Sequence, residues 1–219
     1  DHFMGRDMTS VAISWPTRQN VFAYALGDDK QRAYRSAAAL NSFIMLLAEK
    51  TDARRIHILT WSAGGRLVTS ALAQLRALHP DETAEQLSAR YRLGVVYFAA
   101  ADVPGDEFIE ALPAINDLAQ RIVVTGSSKD EALQSARLLM GGATRIGQSS
   151  VQLSDEQMAR VLQAHRLEYI NLSRGRLDRG FDITGHRYWF NHPWASSDVV
   201  LAIRTDLDPA ERGLEQGDM

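Results

Sequence analysis

An α/β fold on a doubly wound, mostly parallel sheet is what the sequence predicts, and three observations predict it. Short β-rich runs alternate with longer stretches whose apolar residues recur three and four apart, the pattern of strands joined by crossover helices. Residues 93–100 form a nearly unbroken apolar run, as expected of a parallel strand buried on both faces. The 219 residues, 45% apolar and 23% charged, suffice for one domain with a full core and are short for two.

The elements follow in order. Ser10-Val11-Ala12-Ile13-Ser14 alternates as a strand, and Pro16 stops it. Asp28 and Asp29 can cap a helix carrying Ala33, Ala37, Leu40, Phe43, Ile44 and Leu47 at helical spacing. Arg55 to Leu59 is the next strand. After a turn of small residues comes a helix with Leu67, Val68, Ala71, Leu72, Leu75 and Leu78 on one face, ended by Pro80. The apolar strand 93–100 precedes a helix from Asp106 to about Ala119, with Pro113 as a kink point. Arg121 to Thr125 is a strand and Asp130 to Met140 a helix, broken by Gly141-Gly142. A helix over 154–164, a last alternating strand over 167–172 and a closing helix around 198–203 complete the domain. Residues 1–204 thus read as one α/β domain and 205–219 as a polar, acidic tail expected to fray.

Composition removes several function classes. The 24 basic and 27 acidic side chains leave a net charge of −3, no footprint for nucleic acid or an anionic membrane surface. No apolar run approaches the roughly 18 residues of a membrane-spanning helix, so no integral membrane segment is expected in this chain. Cysteine is absent, which excludes disulfides, Cys-ligated zinc and a cysteine nucleophile. The compartment stays open, because a Cys-free chain suits a reducing or an oxidising one. No metal constellation emerges: Asp182 and His186 have helical spacing in an expected loop, and His186 and His192 are not a usual ligand pair.

Chemistry concentrates at Thr60-Trp61-Ser62-Ala63-Gly64-Gly65, between the strand 55–60 and the helix that follows. A serine there, trailed by small residues, suggests a nucleophile elbow. The need is steric: a strained backbone pushes Oγ out at the strand's carboxyl end, and small neighbours let helix and strand pass closely. The Ala63 amide would then lie at the helix N-terminus, positioned to donate to an oxyanion. The match to G-x-S-x-G is incomplete, since Thr60 stands in the first glycine's place. A serine nucleophile needs a base. His57 lies within a strand, and His2, His79 and His165 lie at a terminus or at helix ends. His186, on a glycine-preceded loop after the last strand, is the candidate, with His192 second. The orienting carboxylate is expected at a strand's carboxyl end, where Asp130 and, as the alternative acid, Asp102 both qualify. Each has a bland reading as a cap of the helix or turn that follows it. Trp15, Trp61, Tyr188 and Trp189, with Phe190 and Trp194, can wall an apolar substrate group or merely cover the core. Arg174, Arg176 and Arg179 are read as a solvated loop.

Six short motifs occur in order: Ser14-Trp15-Pro16-Thr17, the Ser62 elbow, Ala100-Ala101-Asp102-Val103, Val124 to Leu133, Arg145-Ile146-Gly147 and Gly185-His186-Arg187-Tyr188. Over residues 10–204 the chain resembles the bacterial α/β-hydrolase family of unknown function called DUF900. Its members carry S-W-P-S, A-H-S-M-G, A-P-D, S-x-x-D-x-A-L, R-x-G and G-H-x-Y. The resemblance implies an α/β-hydrolase sheet with Ser62 as nucleophile, His186 as base and Asp130 as acid. Trp61-Ser62-Ala63 departs from the family's His-Ser-Met. A second departure is larger, because nothing before Val11 matches the family's upstream strand and its His-Gly oxyanion loop. The expectation is therefore a sheet lacking its N-terminal strands, in a fragment, a processed form or a diverged member, the fragment being preferred. The implied function is a serine hydrolase of carboxylic esters or related acyl compounds, with a small-molecule substrate and no cofactor. The soluble protein would be cytoplasmic or exported in a bacterium. The rival is a non-catalytic interaction domain of the same fold with an incomplete oxyanion hole.

Overall fold

The computed structural model describes residues 7–16, 28–131, 133–134, 143–148, 153–173, 186 and 188–217. Four parallel strands, β1 (Ile56–Trp61), β2 (Leu93–Ala99), β3 (Ala119–Gly126) and β4 (Leu167–Asn171), lie in sequential order. Helices α1 (Asp28–Lys50), α2 (Gly64–Ala77), α3 (Ala84–Tyr91), α4 (Gly105–Leu118), α5 (Asp155–Gln163), α6 (Tyr188–Asn191) and α7 (Pro193–Arg204) surround them. Every strand carboxyl end therefore opens onto one edge of the sheet, where the loops carrying the candidate residues gather.

The alternation of side chains across the strands sorts the core into two layers. Val96, Phe98, Ile122 and Val124 face the larger one, with Ala37 and Ile44 of α1, Leu72 and Leu75 of α2, Leu87 of α3 and Leu112 and Ile115 of α4. Val95, Tyr97, Ala99 and Val123 face the other, with Val199, Ala202 and Ile203 of α7. All seven residues of β2 are buried, which accounts for its unbroken apolar run. Helix α4 continues through Pro113. Helix α3 lies in a stretch to which the sequence pattern assigns no element, yet its signal is local: Thr83 and Gln86 make a reciprocal capping box.

Two expectations fail for physical reasons. Residues 10–14 form no strand, and Val11 and Ile13, the apolar half of their alternation, are 57% and 48% exposed. Alternation specifies a face, but a strand also needs a neighbour for its backbone groups, and among the described residues only β2 pairs with β1. The first part of the segment expected to fray, residues 205–212, is held against the domain. Arg212 is buried, bonded to Asp198 and Glu168, and Arg121 donates to the Leu207 carbonyl, so ion pairs anchor a segment that looks solvated by composition. Of the helix expected over 130–140, residues 130, 131, 133 and 134 are described, and the last three are helical. The expected Gly141-Gly142 break lies outside the described residues. No helix among the described residues is long and apolar enough to cross a membrane.

His57 is a packed histidine on β1, the outer strand among the described residues. The β1–β2 register slips between Ile56 and Ile58, and there the Val95 N–H donates to His57 Nδ1 at 3.1 Å. Gly94 makes room for the ring, since a Cβ there would lie 2.6 Å from its Cε1. Burial, then the nearby Arg55, pushes the imidazole below its ordinary value of 6.5. Below about pH 6.5 the unfolded chain therefore takes up a proton that the folded chain refuses, so this contribution is complete above that pH and is lost as pH falls. Urea midpoints between pH 7.5 and 5.5 should fall less steeply for His57→Asn than for the parent; parallel curves would refute the assignment.

Candidate active site

Strand β1 ends at Trp61, and Ser62 turns the chain with φ at +52°, a left-handed conformation unfavourable for a residue with a Cβ. Two contacts hold that turn: the Ser62 carbonyl accepts from Gly65 N and Asp102 N, each at 3.0 Å. Helix α2 starts two residues later, so the Ala63 amide lies at its N-terminal end beside the serine. The glycines are required by space. A Cβ on Gly64 would lie 2.7 Å from Thr60 Oγ1, and one on Gly65 would lie 2.8 Å from Val103 Cγ2. Thr60 thus fits where a glycine was expected because residue 64 is bare. Gly64→Ala is expected to destabilise the fold by about 1–3 kcal/mol through overpacking. A urea midpoint equal to the parent's would show that the turn has slack.

The His186 ring joins two of the candidates. Its Nε2 lies 2.8 Å from Ser62 Oγ and its Nδ1 lies 2.7 Å from Asp130 Oδ2. Asp130 is fully buried and divides its oxygens: Oδ1 accepts from the Leu133 N–H at 3.0 Å, and Oδ2 faces the imidazole. One oxygen thus caps the turn that follows and the other faces the imidazole. The alternative acid is differently engaged. The Asp102 carboxylate lies 2.8 Å from Arg145 Nε and 3.4 Å from an Arg66 Nη2, and all three side chains are buried.

The aromatic candidates divide. Trp61 is 38% exposed, its indole N–H donates to the His186 carbonyl at 3.3 Å, and its ring centroid lies 5.5 Å from the imidazole's. Trp189 and Phe190 extend the cluster, with centroids 6.4 and 6.0 Å from that of Trp61. Trp15 instead packs beside Gly64 against the larger core, and Trp194 is 79% exposed. Tyr188 opens α6, but its side chain lies outside the described residues, as do Arg174, Arg176, Arg179 and Asp182. His192 is the N-cap residue of α7. The buried arginine partners of Asp102 escaped the sequence reading. Their signals were Arg145, present in a short motif but given no partner, and Arg66, a charge beside Leu67 and Val68.

A family model described as an alpha/beta hydrolase of unknown function, DUF900, matches residues 2–202. The chain belongs to the DUF900 family. No curated protein and no solved structure matches the chain. DUF900 membership agrees with the parallel sheet and its flanking helices and supports a hydrolytic role, while the family's own reaction is undefined.

Within this DUF900 chain the arrangement has a definite chemical capacity. A hydroxyl, an imidazole and a buried carboxylate in hydrogen-bonded series can move a proton off the hydroxyl as it attacks and return it to a leaving group. The neighbouring helix N-terminus offers an N–H where negative charge would develop.

Proposed function

We propose that the protein is a serine hydrolase of carboxylic esters or related acyl compounds. The observation that carries this reading is the continuous series from Asp130 Oδ2 to His186 Nδ1 and from His186 Nε2 to Ser62 Oγ, at 2.7 and 2.8 Å. Ser62 Oγ attacks the substrate carbonyl while His186 Nε2 accepts its proton. Asp130 stabilises the imidazolium and holds the ring in the tautomer that presents Nε2 to the serine. The Ala63 N–H donates to the oxyanion, and His186 then protonates the leaving group. Water, deprotonated by the same imidazole, releases the acyl group and regenerates Ser62. Trp61 and Trp189 line the substrate's approach beside the base. Ester, thioester and amide substrates would use the same machinery and differ in the leaving group that His186 must protonate.

A fluorophosphonate probe tests the nucleophile directly. Labelling is expected for the parent and absent for Ser62→Ala. Equal labelling of the two would overturn the assignment, and labelling of neither would favour the non-catalytic interaction domain.

A further inference from the structure

We propose that Asp102 and Arg145 are positioning residues whose buried ion pair sets the spacing between the nucleophile turn and the acid turn. The inference rests on the reading of Ser62, His186 and Asp130 as a triad, and concerns what holds its outer members in register.

Ser62 and Asp130 follow different strands, β1 and β3, with β2 between them. A triad closing to hydrogen-bond distance across that span needs its ends fixed relative to one another. The segment 143–148 supplies the connection. Along residues 101–105 it makes three backbone hydrogen bonds: Gly105 N–H to Thr144 O, Ile146 N–H to Val103 O and Gly147 N–H to Ala101 O. In the middle of that seam the Asp102 N–H holds the Ser62 carbonyl at 3.0 Å. On its other side the Gly147 carbonyl accepts from Ser127 N–H at 3.0 Å. Ser127 in turn begins the turn to Asp130, accepting from Lys129 N–H through its hydroxyl. A run of short contacts thus leads from the carbonyl of the nucleophile to the loop of the acid, and residues 102 and 145–147 are its middle.

The ion pair pins that middle. Asp102 and Arg145 side chains are each 2% exposed and lie 2.8 Å apart, with Arg66 of α2 at 3.4 Å on the same carboxylate oxygen. A buried pair of this kind is weak as a source of stability, because desolvation offsets most of the Coulomb attraction, and apolar residues of similar volume often serve as well. Its value here is geometric. It fixes the 101–105 strip to the 143–148 segment at the residue of that strip whose amide grips Ser62. Gly147 shows how close the approach is: a Cβ there would lie 2.8 Å from both Ala100 C and Ala101 N, backbone atoms that cannot swing aside.

The test uses p-nitrophenyl acetate turnover, with active sites counted by fluorophosphonate titration so that misfolded protein is excluded. Asp102→Asn and Arg145→Met should each lower kcat per titrated site by about 10²-fold, the scale of an ångström-sized misplacement. KM should stay within about twofold, since no substrate contact is removed. The single variant Arg145→Met separates geometry from stability, because Asp102 keeps the buried Arg66 as its cation and no carboxylate is left unpaired. Its thermal midpoint should stay closer to the parent's than that of Asp102→Asn while kcat falls; a parental kcat would overturn the proposal. Arg145→Lys keeps the charge, and hence the fold, but not the guanidinium geometry. It should lose kcat at unchanged KM, and parental kcat would overturn the proposal too. Failure of the triad reading itself looks different, as a parent that neither labels nor turns over the ester.

Discussion

Alanine at position 62 is expected to lower kcat for p-nitrophenyl acetate by about 10⁶-fold, the scale on which serine hydrolases lose turnover with their nucleophile. The size follows from what remains. Without Oγ there is no acyl-enzyme, and His186 can act only on water held by no dedicated group. KM should change little, because Oγ adds almost nothing to ground-state binding. Stability should change little, since alanine keeps the Cβ at this turn and the one partner it takes away is that of His186 Nε2, in a side chain that still reaches solvent. The measurement is steady-state turnover with a thermal melt on the same preparation. A variant retaining more than about a hundredth of parental kcat would mean that another group carries the reaction.

Asp130→Asn is the second large effect, an expected fall in kcat of about 10⁴-fold with KM nearly unchanged. The carboxylate is buried and acts through both oxygens, one on the Leu133 amide and one on His186 Nδ1. Asparagine can keep the helix contact through its carbonyl oxygen. Its NH2 then faces the imidazole, and a donor there favours the tautomer with Nδ1 unprotonated and Nε2 bearing the hydrogen. That ring cannot accept the serine proton. The fold should survive, so loss of turnover with a melting temperature within a few degrees of the parent's is the signature. Activity should recover partly as pH rises, where hydroxide and spontaneous serine ionisation replace the base. A flat loss across pH 7–10 would place the role of Asp130 in the fold instead.

Much of this arrangement was legible before any coordinates, for local reasons. Strand β2 announces itself through an apolar run that only a doubly covered strand requires, and the elbow through the small residues that its crowding imposes. Asp130 and His186 were singled out because topology puts the carboxyl ends of parallel strands on one edge, which narrows the choice to residues following a strand, and the structure brings the two together. The failures are equally physical. The 10–14 run has the right alternation, but alternation carries no information about whether a neighbour is present. The tail at 205–217 looks solvated because charged residues normally are. Arg212, Asp198 and Glu168 lie up to 44 positions apart, and their pairing is a property of the fold and not of any window of sequence. The arginines around Asp102 were missed likewise: a one-dimensional reading assigns an acid by its position after a strand, whereas its chemistry depends on which cation reaches it first.

The left-handed backbone at Ser62 sets evolution and engineering against each other. Conformations of this kind cost about 1–2 kcal/mol in any residue with a Cβ, and Ala100, at the end of the neighbouring strand, has φ at +45° as well. Glycine relieves the cost at either position, but at 62 it removes the hydroxyl. A selection that rewards only thermal endurance would therefore drift towards losing the serine, while one that rewards turnover would hold it against a standing gradient. Position 100, buried and bearing no functional group, is where the same relief is open without that conflict.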